Sequence, residues 1–403
     1  MTAVITGIGI TAPTGIGAHQ HWQATLAGHN AITPITHYDT THYPTRLAGQ
    51  ITDYNPADHL PGRLLPQTDR MTQLALTAAD LALTDAGLTP DDLDPHTTAV
   101  VTAAAAGGFE FGQRELQALW SKGPQHVSAY QSFAWFYAVN TGQLSIRHNT
   151  RGPSNVIVTE QAGGLDALAI ARRHIKRGIK TVITGGTDAP LSPWALAAQT
   201  PNGRLTPTTD PHHAYRPYHP HANGYVPGEG GAILIIEDEH TARRRNAHIY
   251  AHITGHHATF DAHPHHPHQL TTAIQGALHD AHLTPHDIDV IFTDAAATPT
   301  LDQQETQAIT HIFGPHTTPV TAPKTMTGRL YSGGATLDTA TALLTLHHHT
   351  IPPTINTHPA PHHPIDLVTT PRPHPTHHAL ILARGHHGFN TALILTHPHH
   401  NPH

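Results

Sequence analysis

No cysteine occurs anywhere in the 403 residues. Disulfides, thiolate metal sites and acyl transfer through a cysteine nucleophile are therefore excluded for this polypeptide. Charge is scarce as well. Asp, Glu, Lys and Arg together make up 12% of the chain, the formal net charge is −7, and the 21 Lys and Arg are spread rather than clustered. Nothing here provides a nucleic-acid footprint. No apolar run reaches the roughly 18 residues of a membrane span. The opening Met1-Thr2-Ala3-Val4-Ile5-Thr6-Gly7 has neither the basic region nor the long apolar stretch of a signal peptide. The expectation is a cytoplasmic protein with no nucleic-acid or membrane partner. GxSxG and GxxxxGK[ST] are both missing, so a serine hydrolase and a P-loop NTPase are unsupported.

Histidine, by contrast, is abundant at 43 residues. Runs at 256–257, 263–268, 347–349, 362–363, 377–378 and 397–403 fall where solvated surface is expected. A metal-binding surface is one reading; replacement of ordinary surface charge by imidazole is the other. Metal centres need fixed ligand spacing and supporting groups, and these runs share no spacing, so no metal is expected. Much positive surface charge should appear below about pH 6, since free imidazole titrates near ~6.5.

Apolar periodicity alternates strand and helix. A strand covers 3–10 and ends in glycines, a helix covers 72–86, and a buried strand covers 99–106. A helix begins at 109. A β-branched run at 156–158 reads as a buried strand, followed by a helix with Leu165, Leu168 and Ile175 inward. Strands follow at 180–188 and 232–236. From about 240 the rhythm restarts, with strands at 249–253, 288–293, 379–383 and 391–395, and helices at 270–281, 302–313 and 337–346. This alternation is α/β, and the restart suggests duplication into halves 1–239 and 240–403. Gly7-Ile8-Gly9-Ile10-Thr11-Ala12 fits GxGxxA. However, no acid stands about 20 residues on in a second strand, so no nucleotide cofactor is expected.

The chain is organised around Val156-Ile157-Val158-Thr159-Glu160-Gln161-Ala162-Gly163-Gly164-Leu165-Asp166-Ala167. A strand, a glycine-rich turn and a helix N-terminus form a layout that presents a nucleophile, since the helix end stabilises developing negative charge. The residue presented is Gln161, whose amide neither attacks nor titrates. This pattern resembles the ketosynthase family of the thiolase fold, and within it the chain-length factors of type II polyketide synthases, which carry glutamine where condensing enzymes carry cysteine. The resemblance implies a thiolase-like α/β fold: duplicated βαβαβαββ halves in five αβαβα layers.

Two further catalytic positions are altered under the same resemblance. The two histidines that assist decarboxylation and condensation correspond to Asp294, in Thr293-Asp294-Ala295-Ala296-Ala297-Thr298, and to Arg329, in Lys324-Thr325-Met326-Thr327-Gly328-Arg329. The lysine of the second loop is retained as Lys324. Buried ion pairs of Lys324 and Arg329 with Asp294 and Glu305 are expected there.

Phe109, Gly112 and Leu116 share one helix face by their spacing. Five aromatic side chains, Tyr130, Phe133, Trp135, Phe136 and Tyr137, crowd the next loop. Core packing is the plain reading of such a cluster; a partner interface is the functional one. The resemblance favours the interface for Tyr130, Trp135, Phe136 and Tyr137, and a polyketide tunnel walled by Phe109, Gly112, Leu116 and Phe133. Small residues at 112 and 116 then imply a longer aromatic product. The implied partners are a catalytic ketosynthase, in a heterodimer, and transiently an acyl carrier protein. No cofactor is implied. The competing reading is a malonyl-carrier decarboxylase that primes synthesis through Gln161.

Overall fold

The computed structural model describes residues 1–262 and 269–398. The expectations for the histidines at 263–268 and 399–403 lie outside the described residues.

Five strands build the first half: β1 (Ala3–Ala12), β2 (Thr98–Ala103), β3 (Ser154–Ile157), β4 (Thr181–Asp188) and β5 (Gly230–Asp238). Their spatial order is β3-β2-β4-β5-β1. The second half has β6 (Ala251–Phe260), β7 (Val290–Phe292), β8 (Pro319–Thr321), β9 (His378–Arg384) and β10 (Phe389–Thr396), ordered β8-β7-β9-β10-β6. The two orders are the same. So are the directions: the first three strands of each order run parallel, and the last two junctions are antiparallel. The duplication suggested by rhythm is thus explicit in the pairing. The halves join where β1 meets β6, at Val4↔His252 and Ile5↔Ala251.

Two helices fill the space between the sheets, α3 (Gly163–Lys176) and α6 (Ser332–His348); outside lie α1 (Arg70–Asp85) against the first sheet and α4 (Gln269–Ala281) against the second. This gives the thiolase-like five layers. Residues 332–346 of α6 are buried throughout, which is why this helix reads as apolar on every side. Leu165, Leu168 and Ile175 of α3 pack with Leu337, Leu343 and Leu346 of α6 in one core.

Three expectations need correction. The glycines do not end β1, which continues to Ala12. A Cβ on Gly9 would lie 1.8 Å from the Ala78 carbonyl oxygen, so the glycine exists to let α1 approach. Nor is β3 buried. Ser154 and Asn155 are exposed, Val156 and Ile157 are half-buried, and Val158 beyond them is 48% exposed. A β-branched run signals a strand but not its place in a sheet, and β3 is the edge. In the second half the matching edge, β8, is covered by the short strand Asp366–Leu367; among the described residues β3 has no such cover. Finally, not every histidine is solvated. His363 and His378 are buried, as is His21. The His21 ring is held between the Thr14 and Thr341 hydroxyls, and burial pushes it down to about 4.

Candidate functional site

The chain leaves β3 and turns sharply at Glu160, which has a left-handed φ of 52°. A short turn, Glu160–Ala162, then feeds α3. Thr159 donates to Asp166 (2.7 Å), and Asp166 accepts also from Thr391 of β10 (2.8 Å), so the elbow is tied to the other half. Glu160 accepts from the His386 backbone N–H at 2.7 Å.

Gln161 is fully buried, and neither its Oε1 nor its Nε2 has a hydrogen-bond partner among the described residues. It faces the first turn of α6, where Gly334 makes room. A Cβ there would stand 2.5 Å from Gln161 Nε2. The amide is thus enclosed at the elbow with no hydrogen bond to any described residue.

The two other altered positions meet each other. Arg329 grips Asp294 with two contacts, Nη1 to Oδ2 at 3.1 Å and Nη2 to Oδ1 at 3.0 Å. Nη2 also donates to the Arg384 carbonyl oxygen (2.6 Å), while Asp294 accepts from the Arg384 N–H (2.9 Å). Both side chains are sealed from solvent. Burial opposes ionisation of Asp294, but Arg329 and then Lys324 overcome it and hold the carboxyl below its usual range. For Arg329 burial is likewise outweighed by Asp294, so it stays charged.

Lys324 and Glu305 do not pair as expected. Lys324 Nζ makes its ion pair with Asp338 of α6 (2.6 Å) and donates to the Thr293 and Asp294 carbonyl oxygens. Glu305, on α5 (Pro299–Phe313), accepts instead from the backbone N–H groups of Asp294 and Ala295 and from the Tyr218 hydroxyl. Those donors occupy both of its oxygens. Burial and then the neighbouring Asp294 push Glu305 up. Asp188, which the sequence reading passed over, receives N–H groups from Ala105, Ala106 and Ser332 and the Ser332 hydroxyl. Burial nevertheless pushes it up to about 6. Its signal was a carboxylate ending a fully buried strand; that of Asp338 was a single acid in an otherwise uncharged apolar helix.

A cavity of about 440 Å³ opens beside the elbow, lined by Phe109, Glu160, Gln199, Asn202, Tyr331 and His386 among others. Phe109 begins α2 (Phe109–Lys122) and meets Trp194 edge-on at 4.9 Å between ring centres. Gly112 lies one turn on, where a Cβ would be 3.2 Å from Trp194 Cζ3 and 3.4 Å from Trp135 Cβ. Leu116 continues the same face, half-buried. Phe133 packs beside Tyr130 (5.8 Å) and against the cluster of Ile51, Tyr54 and Met71. Of these four, Phe109 alone belongs to the cavity lining. Tyr130, Trp135, Phe136 and Tyr137 are all between 38% and 47% exposed.

Asp302 offers a separate test of these buried carboxyls. Its Oδ2 accepts from the Tyr218 N–H (2.8 Å), and burial outweighs such backbone bonds and pushes it up to about 8. The folded state thus keeps this proton up to about pH 8, whereas the unfolded chain releases it near ~3.9. Its contribution to stability therefore falls as pH rises between those values. Asp302→Asn should match the parent near pH 4 and unfold at a higher temperature near pH 8. Melting curves across that range check it.

A duplicated α/β scaffold with an elbow aimed into its core is the frame of the thiolase-like acyl-condensing proteins. Residues 2–242 match the family model described as Beta-ketoacyl synthase, N-terminal domain, and residues 248–358 that described as Beta-ketoacyl synthase, C-terminal domain. The chain belongs to the beta-ketoacyl synthase family. It is 56% identical over 398 residues to the tetracenomycin polyketide synthase ketoacyl synthase beta subunit of Streptomyces glaucescens, covering 97% of each chain. Among solved structures it resembles the ishigamide ketosynthase/chain length factor (TM-score 0.89, 26% identity, 98% of this chain and 99% of that one). It also resembles a type II polyketide synthase acyl-carrier protein in complex with its ketosynthase bound to the hexaketide (TM-score 0.89, 25% identity, 98% and 99%).

Proposed function

We propose that this chain is the non-condensing subunit, the chain-length factor, of a type II polyketide synthase that makes an aromatic polyketide. It pairs with a catalytic ketosynthase of the same fold and forms one wall of the tunnel that receives the growing chain. The observation that carries this is the joint state of three positions: an amide at Gln161, and Asp294 and Arg329 locked to each other.

Condensation needs a thiolate to carry the acyl group and free donors to stabilise the enolate left when malonyl loses CO₂. An amide cannot serve as the first. Arg329 spends its donors on Asp294 and Arg384, and Asp294 adds negative charge where an enolate would form. The same occupancy weighs against a priming decarboxylase acting through Gln161, because Arg329 and Asp294 are held by each other rather than turned to a substrate. Three side-chain roles therefore have to come from a partner.

The surface has a place for one. The uncovered edge of β3, the exposed Val158 beyond it and the 76% exposed Ile146 on the helix Val139–Arg147 beside β3 lie open. The exposed aromatics at 130 and 135–137 add Trp and Tyr, the residues enriched where interfaces concentrate binding energy. Phe109, Gly112 and Leu116 share one face of α2, which we take as the tunnel wall, with Phe133 behind it. We take the halves to divide between residues 239 and 240 and the complex to work in the cytoplasm, where a carrier protein delivers substrate.

Co-expression with a catalytic ketosynthase tests the reading. A stable 1:1 complex should form and elongate malonyl units on a carrier protein. The isolated chain should neither elongate an acyl thioester nor release CO₂ from malonyl-carrier protein. Elongation by the isolated chain overturns the assignment.

A further inference from the structure

A second cavity, of about 510 Å³, lies between residues 212–219 and 354–358 and shares no residue with the cavity at the elbow. Its wall carries Arg216, His212, His213, His219 and His358, and no carboxylate. Asp210, just ahead of the wall in the chain, is already engaged: it accepts from the His212 N–H (2.9 Å) and meets His213 Nδ1 at 2.6 Å. Among the described residues no ion pair reaches Arg216, His219 or His358. Arg216 Nη2 donates to the His221 carbonyl oxygen at 3.4 Å, while its Nε and Asn356 Nδ2 are buried and have no acceptor among the described residues.

We propose that this groove binds a phosphate-type dianion, held by the Arg216 guanidinium and the imidazoles of His212, His219 and His358. A cluster of cationic and cationisable groups whose neighbouring carboxylate, Asp210, is taken up by His212 and His213 leaves a local positive potential that an anion relieves. Guanidinium suits phosphate oxygens geometrically. A carboxylate monoanion would be satisfied by Arg216 alone, whereas a dianion also draws a proton onto the rings. The groove far exceeds a bare phosphate in size, so the organic part of a phosphate monoester fits beside it.

Proton linkage gives the site a signature. The groups facing it are His212, His213, Arg216, His219, His221, His358 and Asp210. Burial first, then Arg216, His221, His358 and His213, holds the empty site's His219 below its ordinary value. A bound dianion reverses the sign of that local field, so binding takes up protons.

The full chain, in complex with its ketosynthase partner, is titrated calorimetrically at fixed ionic strength with inorganic phosphate and, separately, with phenyl phosphate. One saturable site per chain at pH 6 is expected. The double variant His219→Gln/His358→Gln, with an unchanged melting temperature, should lose about tenfold or more in affinity at pH 6, and Arg216→Gln should lose saturable binding altogether. Tighter binding of phenyl phosphate identifies a monoester ligand, and equal binding identifies free phosphate; both support the site. Absence of saturable binding at pH 6, or binding unchanged in the double variant, overturns it. The double variant decides the matter even if Arg216→Gln fails to fold.

Discussion

Replacing Gly112 by phenylalanine should shorten the polyketide made by the reconstituted complex by one or more two-carbon units. A ratio of long to short product that falls about tenfold requires only about 1.4 kcal/mol of discrimination. A benzyl group at the tunnel wall would exceed that by excluding the last units outright. The geometry sets the terms. Position 112 is helical with ordinary backbone angles, so a larger residue is not strained there, and glycine is the poorer helix former by up to about 1 kcal/mol. A Cβ at 112 comes within 3.2 Å of Trp194 Cζ3, and Trp194 is 41% exposed, so its indole can yield. The complex should therefore fold and assemble as before while its product changes, and mass spectrometry of the released chains reads the outcome. Gly112→Ala, filling little, should leave the product nearly unaltered. A folded Gly112→Phe complex with the parental product distribution would remove residue 112 from the tunnel.

Loss of Asp294 should be the most destabilising single substitution in the site. Asp294→Ala leaves the Arg329 guanidinium buried without its counter-charge and the Arg384 N–H without its acceptor. Removing one partner of such a pair typically costs about 3–5 kcal/mol. A urea midpoint shifted down by that amount, with unchanged slope, is the expected result. Asp294→Leu combined with Arg329→Met should regain most of the loss, because desolvated ion pairs are often replaceable by apolar packing. The pH dependence follows from the depressed carboxyl. The stability that Asp294 contributes is present above the ordinary carboxylate range and is lost as pH falls through its lower folded value. Parent and single variant should converge only in strong acid. A single variant as stable as the parent at pH 7 would mean that Arg329 finds another anion.

The sequence made the elbow legible because its parts are contiguous: β-branched residues, two glycines and an apolar helix around Gln161. The Asp294–Arg329 pair was also within reach, since both residues sit in glycine- or alanine-rich turns after strands. Lys324 was not. Its partner Asp338 lies on α6, and only the packing of α6 between two sheets decides that this acid, rather than Glu305, faces the lysine. The place of β3 escaped for a similar reason. Side-chain alternation and β-branching report that a segment is extended, whereas sheet order depends on every other strand. The histidines divide the same way: composition points to the surface, but His21 and His363 are held by threonine hydroxyls inside.

The open border of β3 bears on how the protein has to be made. Its backbone N–H and C=O groups, next to the exposed Val158, are a template for pairing with any extended chain, including a second copy of itself. A polypeptide translated ahead of its mate should therefore stay in solution less well than one made together with it, which the soluble fraction with and without co-expression checks. Yield in a heterologous host should follow the timing and dose of the partner more closely than the melting temperature of this chain.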